Sequence, residues 1–427
     1  MTVQTLTVGV VGPQGPSNGT VTVGNGTTHT GNYNASSYGG DASLAIEAAL
    51  AASKRVALLP GVLTCATPID IAADDSVIEA YGATLRPTSA TTSTGQLFEV
   101  TGDGVRIMGG RVELTQFTNA QYVIRGNAAD ELLIRDLIVD DQIDPTTYTT
   151  SMKLFRLDGC NSPTIADCHV MPNRGLSIYD ARNCYSVRID NPMTGERWID
   201  ERLCDSVYTF NDCTHALIRG GYAFGLGSAS AKLAFVLRAF NTSNSVHHVR
   251  IDGGYYETIL ASRGFQVEGG RHAEFENMSV ASFTETDVGV FCAVGSTGDA
   301  TGTGVTNFEL VNIKSHDNCK VGTGGALLYT RKATRVSMDA VRHVEAYGRL
   351  LRADTTNTDT LDLNNVRAHS TVAAASWTGG QDAAAYIGSA TVTNWRFRNC
   401  QRRGSGSDGF QAFHTTPPTG LDEDDVS

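Results

Sequence analysis

Between residues 97 and 400 the chain keeps returning to one pattern, and that recurrence limits its fold more than any other feature. LFEVTGDGVRIMGGRVEL, LFRLDGCNSPTIADCHVM, VYTFNDCTHALIRGGYAF and GFQVEGGRHAEFENMSVASF are four of eleven such segments. Each opens with a short apolar strand, passes through a polar turn, and continues as two stretches of alternating apolar residues separated by a bend. From Phe98 in the first segment to Tyr386 in the eleventh is 288 residues over ten steps, about 29 per step. A period of roughly 20 to 50 residues means a solenoid, a propeller or an array. Propeller blades need about forty residues and four antiparallel strands, yet Asn-Gly or Asp-Gly hairpin signals do not punctuate these segments. Leucine-rich repeats fix Leu and Asn at set offsets, whereas here Val, Ile, Leu, Phe, Tyr and Met exchange freely and the step varies from about 23 to 38. Coils whose turns swell into loops without disturbing stacked strands fit that variation. The pattern predicts an all-β, single-stranded parallel β-helix of about eleven or more coils. Cys160, Cys184 and Cys213 fall five or six residues after Phe155, Ile178 and Tyr208 in three successive segments. They predict a ladder of stacked thiols.

Composition excludes several classes. The net charge is −12, the wrong sign for a nucleic-acid binder, whose affinity comes from clustered Lys and Arg neutralising phosphates. No run of about eighteen apolar residues could span a membrane, so no membrane insertion is expected. MTVQTLTVGVVGPQG lacks the basic and apolar regions of a secretory signal. Nine cysteines lie apart without a CxxC pair, and His247, His248 and His272 lack a third ligand at metal spacing. The expectation is therefore buried free thiols, no metal and no cofactor.

The ends differ from the repeats. Residues 1–38, rich in Gly, Asn, Thr and Ser, read as an arm or linker, and residues 404–427 as an acidic tail. Residues 39–96 carry one Ala-rich amphipathic helix, AIEAALAAS, followed by VALLPGVLTCATPIDI and EAYGATLR. Asp41 can cap the helix, Lys54 and Arg55 favour its carboxyl end, and small Ala side chains allow close packing on strands. A solenoid must close the open face of its first coil, so the helix is a lid on the β-helix of residues 97–403.

With its Gly40-Asp41 turn, this entry segment resembles the N-terminal entry of pectate-lyase-like β-helix proteins, phage tailspikes above all. The resemblance covers residues 38–90 by motif and 97–400 by repeat. It implies a right-handed winding and a homotrimeric virion tail spike or fibre, assembled in the host cytoplasm. It also implies attachment to a tail or baseplate protein through residues 1–38, and recognition of a host surface polysaccharide or glycosylated envelope by the flanks of the helix. Two alternatives stay open, a polysaccharide depolymerase and a capsid turret or decoration.

Glycoside cleavage needs two carboxylates about 5 to 10 Å apart, a spacing that stacked coils supply easily. Asp140-Asp141 echoes the paired aspartates of the polygalacturonase branch, but no Gly-His-Gly or Arg-x-Lys accompanies it. Nor is there an acidic cluster with an arginine for calcium-dependent elimination. Residues 179–256 hold 11 of the 32 aromatics, and sugars stack on aromatic faces flanked by polar groups. The candidate ligand contacts are Trp198, Asp200 and Glu201 in the loop NPMTGERWIDERLCD, with Tyr255 and Tyr256 in GGYYETI. The candidate catalytic carboxylates are Glu257, Glu268 and Asp180, the last two expected to point outward from strand ends near those loops.

Overall fold

The computed structural model describes residues 19–88, 95–115, 122–142, 152–172, 176–195, 202–203, 206–227, 235–240, 248–259, 263–283, 289–294, 304–316, 318, 325–331, 333–346, 349–353, 360–370, 383–387, 394–405, 408–409, 412–414 and 422–424. Their strands form three sheets, A, B and C, of 16, 15 and 13 strands. The chain visits them in turn: Gln96–Val100 lies in C, Arg106–Met108 in A, and Arg111–Leu114 in B before Tyr122–Asn127 returns to C. Apart from one short antiparallel pair at Gly404 and Gly409, neighbouring strands are parallel and come from successive coils. The protein is a parallel β-helix. Each of the eleven sequence segments supplies one strand of sheet C, with Ile69–Ile71 before them and Ala412–His414 after.

Alternation decides which side chains enter the core. In Val187–Asp190, Val187 and Ile189 are buried while Arg188 points out. Along sheet C the register stacks like on like, Phe155 on Tyr179 on Tyr208, with ring centroids 5.2 and 5.5 Å apart. Tyr179 and not Ile178 is therefore the partner of Phe155, and the three cysteines each follow their ladder position by five residues. Cys160, Cys184 and Cys213 are buried and free. The Cys184 thiol, followed by burial, pushes the Cys160 thiol well above its ordinary range.

The bend from A to B is the most regular corner. Gly109, Asp136, Asp167, Asn191, Gly220, Gly253, Asn277, Asn312, Ala340 and Asn365 all sit there with positive φ. Each donates its backbone N–H to a carbonyl of the next coil at 2.8–3.1 Å. Asn, Asp and Gly tolerate the left-handed region that most residues avoid. Asn side chains add a second line, Asn191 to Asp167 at 3.1 Å and Asn312 to Asn277 at 2.9 Å.

The lid is an α-helix over Ala42–Ala52, with Ala42, Ala45, Ile46 and Ala49 fully buried. Burial of a side chain such as Ile46 contributes about 1.5–3 kcal/mol. Asp41 accepts from the N–H of Ser43 at 3.0 Å, from the N–H of Ala66 at 2.9 Å and from the Thr67 hydroxyl at 2.8 Å, tying the helix start to the first coil. Glu47 accepts the N–H of Asp70 at 2.9 Å, which satisfies a donor on the open edge of sheet C; burial pushes its carboxyl up. Lys54 and Arg55, expected to complement the helix dipole, lie beyond its last turn and pair with Asp75 at 3.8 Å and Glu79 at 2.9 Å.

Both terminal segments also contribute strands. Thr20–Gly24 pairs with Arg55–Leu58, so residues 19–38 build the lid region. In the acidic tail, Asp422–Asp424 adds to sheet A, with Asp422 in register with Arg396 and Asp424 with Arg398.

Candidate functional site

A chain wound this way has a solvent-facing row of side chains on every sheet, and those rows are where a ligand can be met. On sheet B one row runs through Ile138, His169, Met193, Tyr222 and Tyr255. Ile138, Met193 and Tyr222 are 36, 43 and 47% exposed, large apolar side chains that a soluble surface does not need to show in line. Two residues along, Phe224 lies in register with Glu257. Tyr222 and Phe224 stack at 5.8 Å and 15°, and Phe224 meets Tyr255 at 5.7 Å. Three rings and one half-buried carboxylate thus make a continuous platform.

The turns before it explain how the rings are placed. Tyr222 follows Gly220-Gly221 and Tyr255 follows Gly253-Gly254, all four glycines with positive φ. A Cβ on Gly254 would stand 2.9 Å from the Gly220 carbonyl oxygen and 2.8 Å from the Tyr256 ring. Only glycine lets consecutive coils close up here. GGYAF and GGYYE therefore carry the same signal one coil apart, a register that aromatic density alone does not reveal.

Tyr256, expected as a ligand contact, points the other way. Alternation sends Tyr255 and Glu257 outward and Tyr256 into the core, where it is fully buried with its ring edge-on to Phe265 at 5.1 Å. Burial pushes its phenol up. Trp198, Asp200 and Glu201 lie outside the described residues.

Sheet C carries a different surface, dense with charge. Asp180, expected as an open carboxylate, is 2% exposed. It is held by Lys153 Nζ at 2.8 Å, Arg156 Nη1 at 2.8 Å and Arg182 Nε at 3.4 Å. Arg156 also grips Asp158, and Arg125 links Asp158 at 3.5 Å to Glu99 at 3.6 Å. Burial acts to raise the Asp158 carboxyl, but the hydrogen bond and charge of Arg156 prevail and hold it below the usual range. Burial pushes Glu99 up against the opposing charge of Arg125. With its oxygens occupied by three cationic side chains, Asp180 orders that cluster and does not face a ligand.

Glu268 also lies on sheet C, hydrogen-bonded to Gln266 and 3.8 Å from Arg238. Register carries Asp180 through Thr209 and Arg238 to Gln266, three strands on. At about 4.8 Å per strand that is roughly 14 Å, beyond the separation of a glycosidase pair. Glu257 is on sheet B. The three carboxylates are therefore not brought together.

Sheet A contributes a groove of about 420 Å³ between two outward rows. His215, His248 and His272 form one wall, their rings 5.0 and 6.0 Å apart, with Tyr185 edge-on to His215 at 5.4 Å. Arg188, Leu217, Arg250 and Glu274 form the other. Sequence spacing joins His248 to His272 and misses His215, which sits opposite His248 in register. Among the described residues no group of three or more His, Cys, Asp or Glu is placed to hold a metal.

No family model matches the chain, and no curated protein matches it in sequence. Among solved structures it is similar to the A-module of the mannuronan C-5 epimerase AlgE6 of Azotobacter vinelandii, at 14% identity and a TM-score of 0.48, over 93% of this chain and 98% of that one. A likeness at that level supports no reading of the chemistry.

Proposed function

We propose that this β-helix is a virion attachment protein, a tail spike or fibre subunit whose flank binds a polysaccharide of the host surface. The observation that carries the binding is the sheet-B platform: Tyr222, Phe224 and Tyr255 in ring contact, with Glu257 beside them. Ring faces give a sugar an apolar surface, and a neighbouring carboxylate orders its hydroxyls. The virion role rests on the likeness of the entry segment to tailspikes. In this reading the subunit is one of three and residues 1–38 join it to a tail or baseplate protein.

The test is binding of the full chain to an array of purified bacterial capsular and lipopolysaccharide glycans, repeated with Tyr222→Ala and Tyr255→Ala. Each ring contributes about 1 kcal/mol, so each variant should weaken binding about five-fold. Unchanged binding in both variants, or no glycan bound at all, would sink the proposal.

A depolymerase remains a second reading because Glu257, among the described residues the one outward carboxylate beside the rings, stands where a bound sugar would lie. Release of reducing ends, abolished by Glu257→Gln, would establish it. Imaging of particles that placed the chain at capsid vertices would instead favour a turret.

A further inference from the structure

The sheet-A groove has no part in the platform and presents another chemistry. It crosses four strands, from Ser186 through His215 and His248 to His272, about 14 Å at the spacing of parallel strands. Its 420 Å³ volume lies in the range of small-ligand sites. One wall presents imidazole edges, because His215 and His248 stack and His272 leans over the next face. The other carries the guanidinium groups of Arg188 and Arg250 on either side of Leu217 and ends on the Glu274 carboxylate. We propose that the groove binds an anionic saccharide chain, its carboxylate or sulfate groups lying along the imidazole wall and its ring carbons over Leu217.

Charge balance along the groove favours an anion. Arg188 is matched by Asp190 at 2.5 Å, and Arg250 by Glu276 and, at 3.7 Å, by Glu274. The imidazoles have less: Glu274 stands 3.7 Å from His272, while His248 faces His215, His272 and Arg271, all cations when protonated. Burial first, then those neighbours, hold His248 below its ordinary range. A proton added to His248 meets cationic neighbours, and an anion in the groove would offset that repulsion. Ligand binding and proton uptake are consequently coupled and reciprocal, and affinity rises as pH falls through the histidine range.

Titration calorimetry on the full chain tests this with an oligogalacturonate, a heparin oligosaccharide, a neutral malto-oligosaccharide and inorganic sulfate, each at pH 7.5 and 5.5. The expected result is at least ten-fold tighter binding of one or both acidic oligosaccharides at pH 5.5, with proton uptake seen as a buffer-dependent enthalpy. The first two arms decide between carboxylate and sulfate. His248→Asn should reduce the pH dependence, and Leu217→Trp, which fills the groove without removing a charge, should weaken binding at both pH values. The proposal fails if neither acidic oligosaccharide gains affinity on acidification, if sulfate alone matches them, or if both variants bind like the parent. Tyr222→Ala leaves this site intact, so failure here and failure of the platform are read separately.

Discussion

At the residue scale the informative positions are those whose side chain or backbone is at odds with its surroundings. Ala340 sits at the A-to-B corner with φ 55° and is exposed, in a place held elsewhere by Asn, Asp or Gly. Ala340→Gly should relieve that conformation and stabilise the protein by about 0.5–1 kcal/mol, measured by denaturant unfolding. Asp180 is the opposite case. Asp180→Asn leaves Lys153, Arg156 and Arg182 facing one another and should cost about 3–5 kcal/mol, with partial recovery in high salt. His248 titrates below its unfolded value of 6.5, so between the two values the unfolded chain binds more protons. Its contribution to stability is full above about pH 6.5 and is lost as pH falls toward the folded value. A melting temperature that declines between pH 7 and 5.5, and declines less in His248→Asn, is the expected result.

At the element scale the lid repays attention. Asp41 satisfies three donors, and Asp41→Ala should cost about 1–2 kcal/mol. In a solenoid that loss falls on the nearest coils, so hydrogen exchange should quicken around residues 42–71 and stay unchanged near Phe291. The lid and its cap were legible because Gly40-Asp41 and the Ala-rich face are local signals. The eleven coils were legible because strands, turns and bends recur in a fixed order. Register was harder: Val-Tyr and Ile-Tyr pairs are apolar at both places, so Ile178 and Tyr179 cannot be told apart until neighbouring coils are stacked. The same one-residue ambiguity separates Tyr255, outside, from Tyr256, inside. Tyr222 and Phe224 were in the aromatic-rich stretch but gained meaning only when GGYAF was set against GGYYE. His215 and the cations around Asp180 come together across coils and leave no mark within any single segment.

At the scale of the whole molecule, three sheets give three faces with separate properties: aromatic on B, ionic on C, grooved and histidine-lined on A. Rigid stacking keeps them apart, so substitutions on different faces should add. Combining Leu217→Trp with Tyr255→Ala should change binding of a neutral glycan no more than Tyr255→Ala alone, within about 0.5 kcal/mol. The A-to-B corner has a consequence for how such a protein can vary. Its unbroken run of backbone hydrogen bonds from Gly109 to Asn365 leaves no room for an added residue, since one insertion would break the line at its own coil. Length changes are confined to the other two corners, and a lineage of such chains can exchange loops there, and with them the surfaces it presents, while inheriting the same spine.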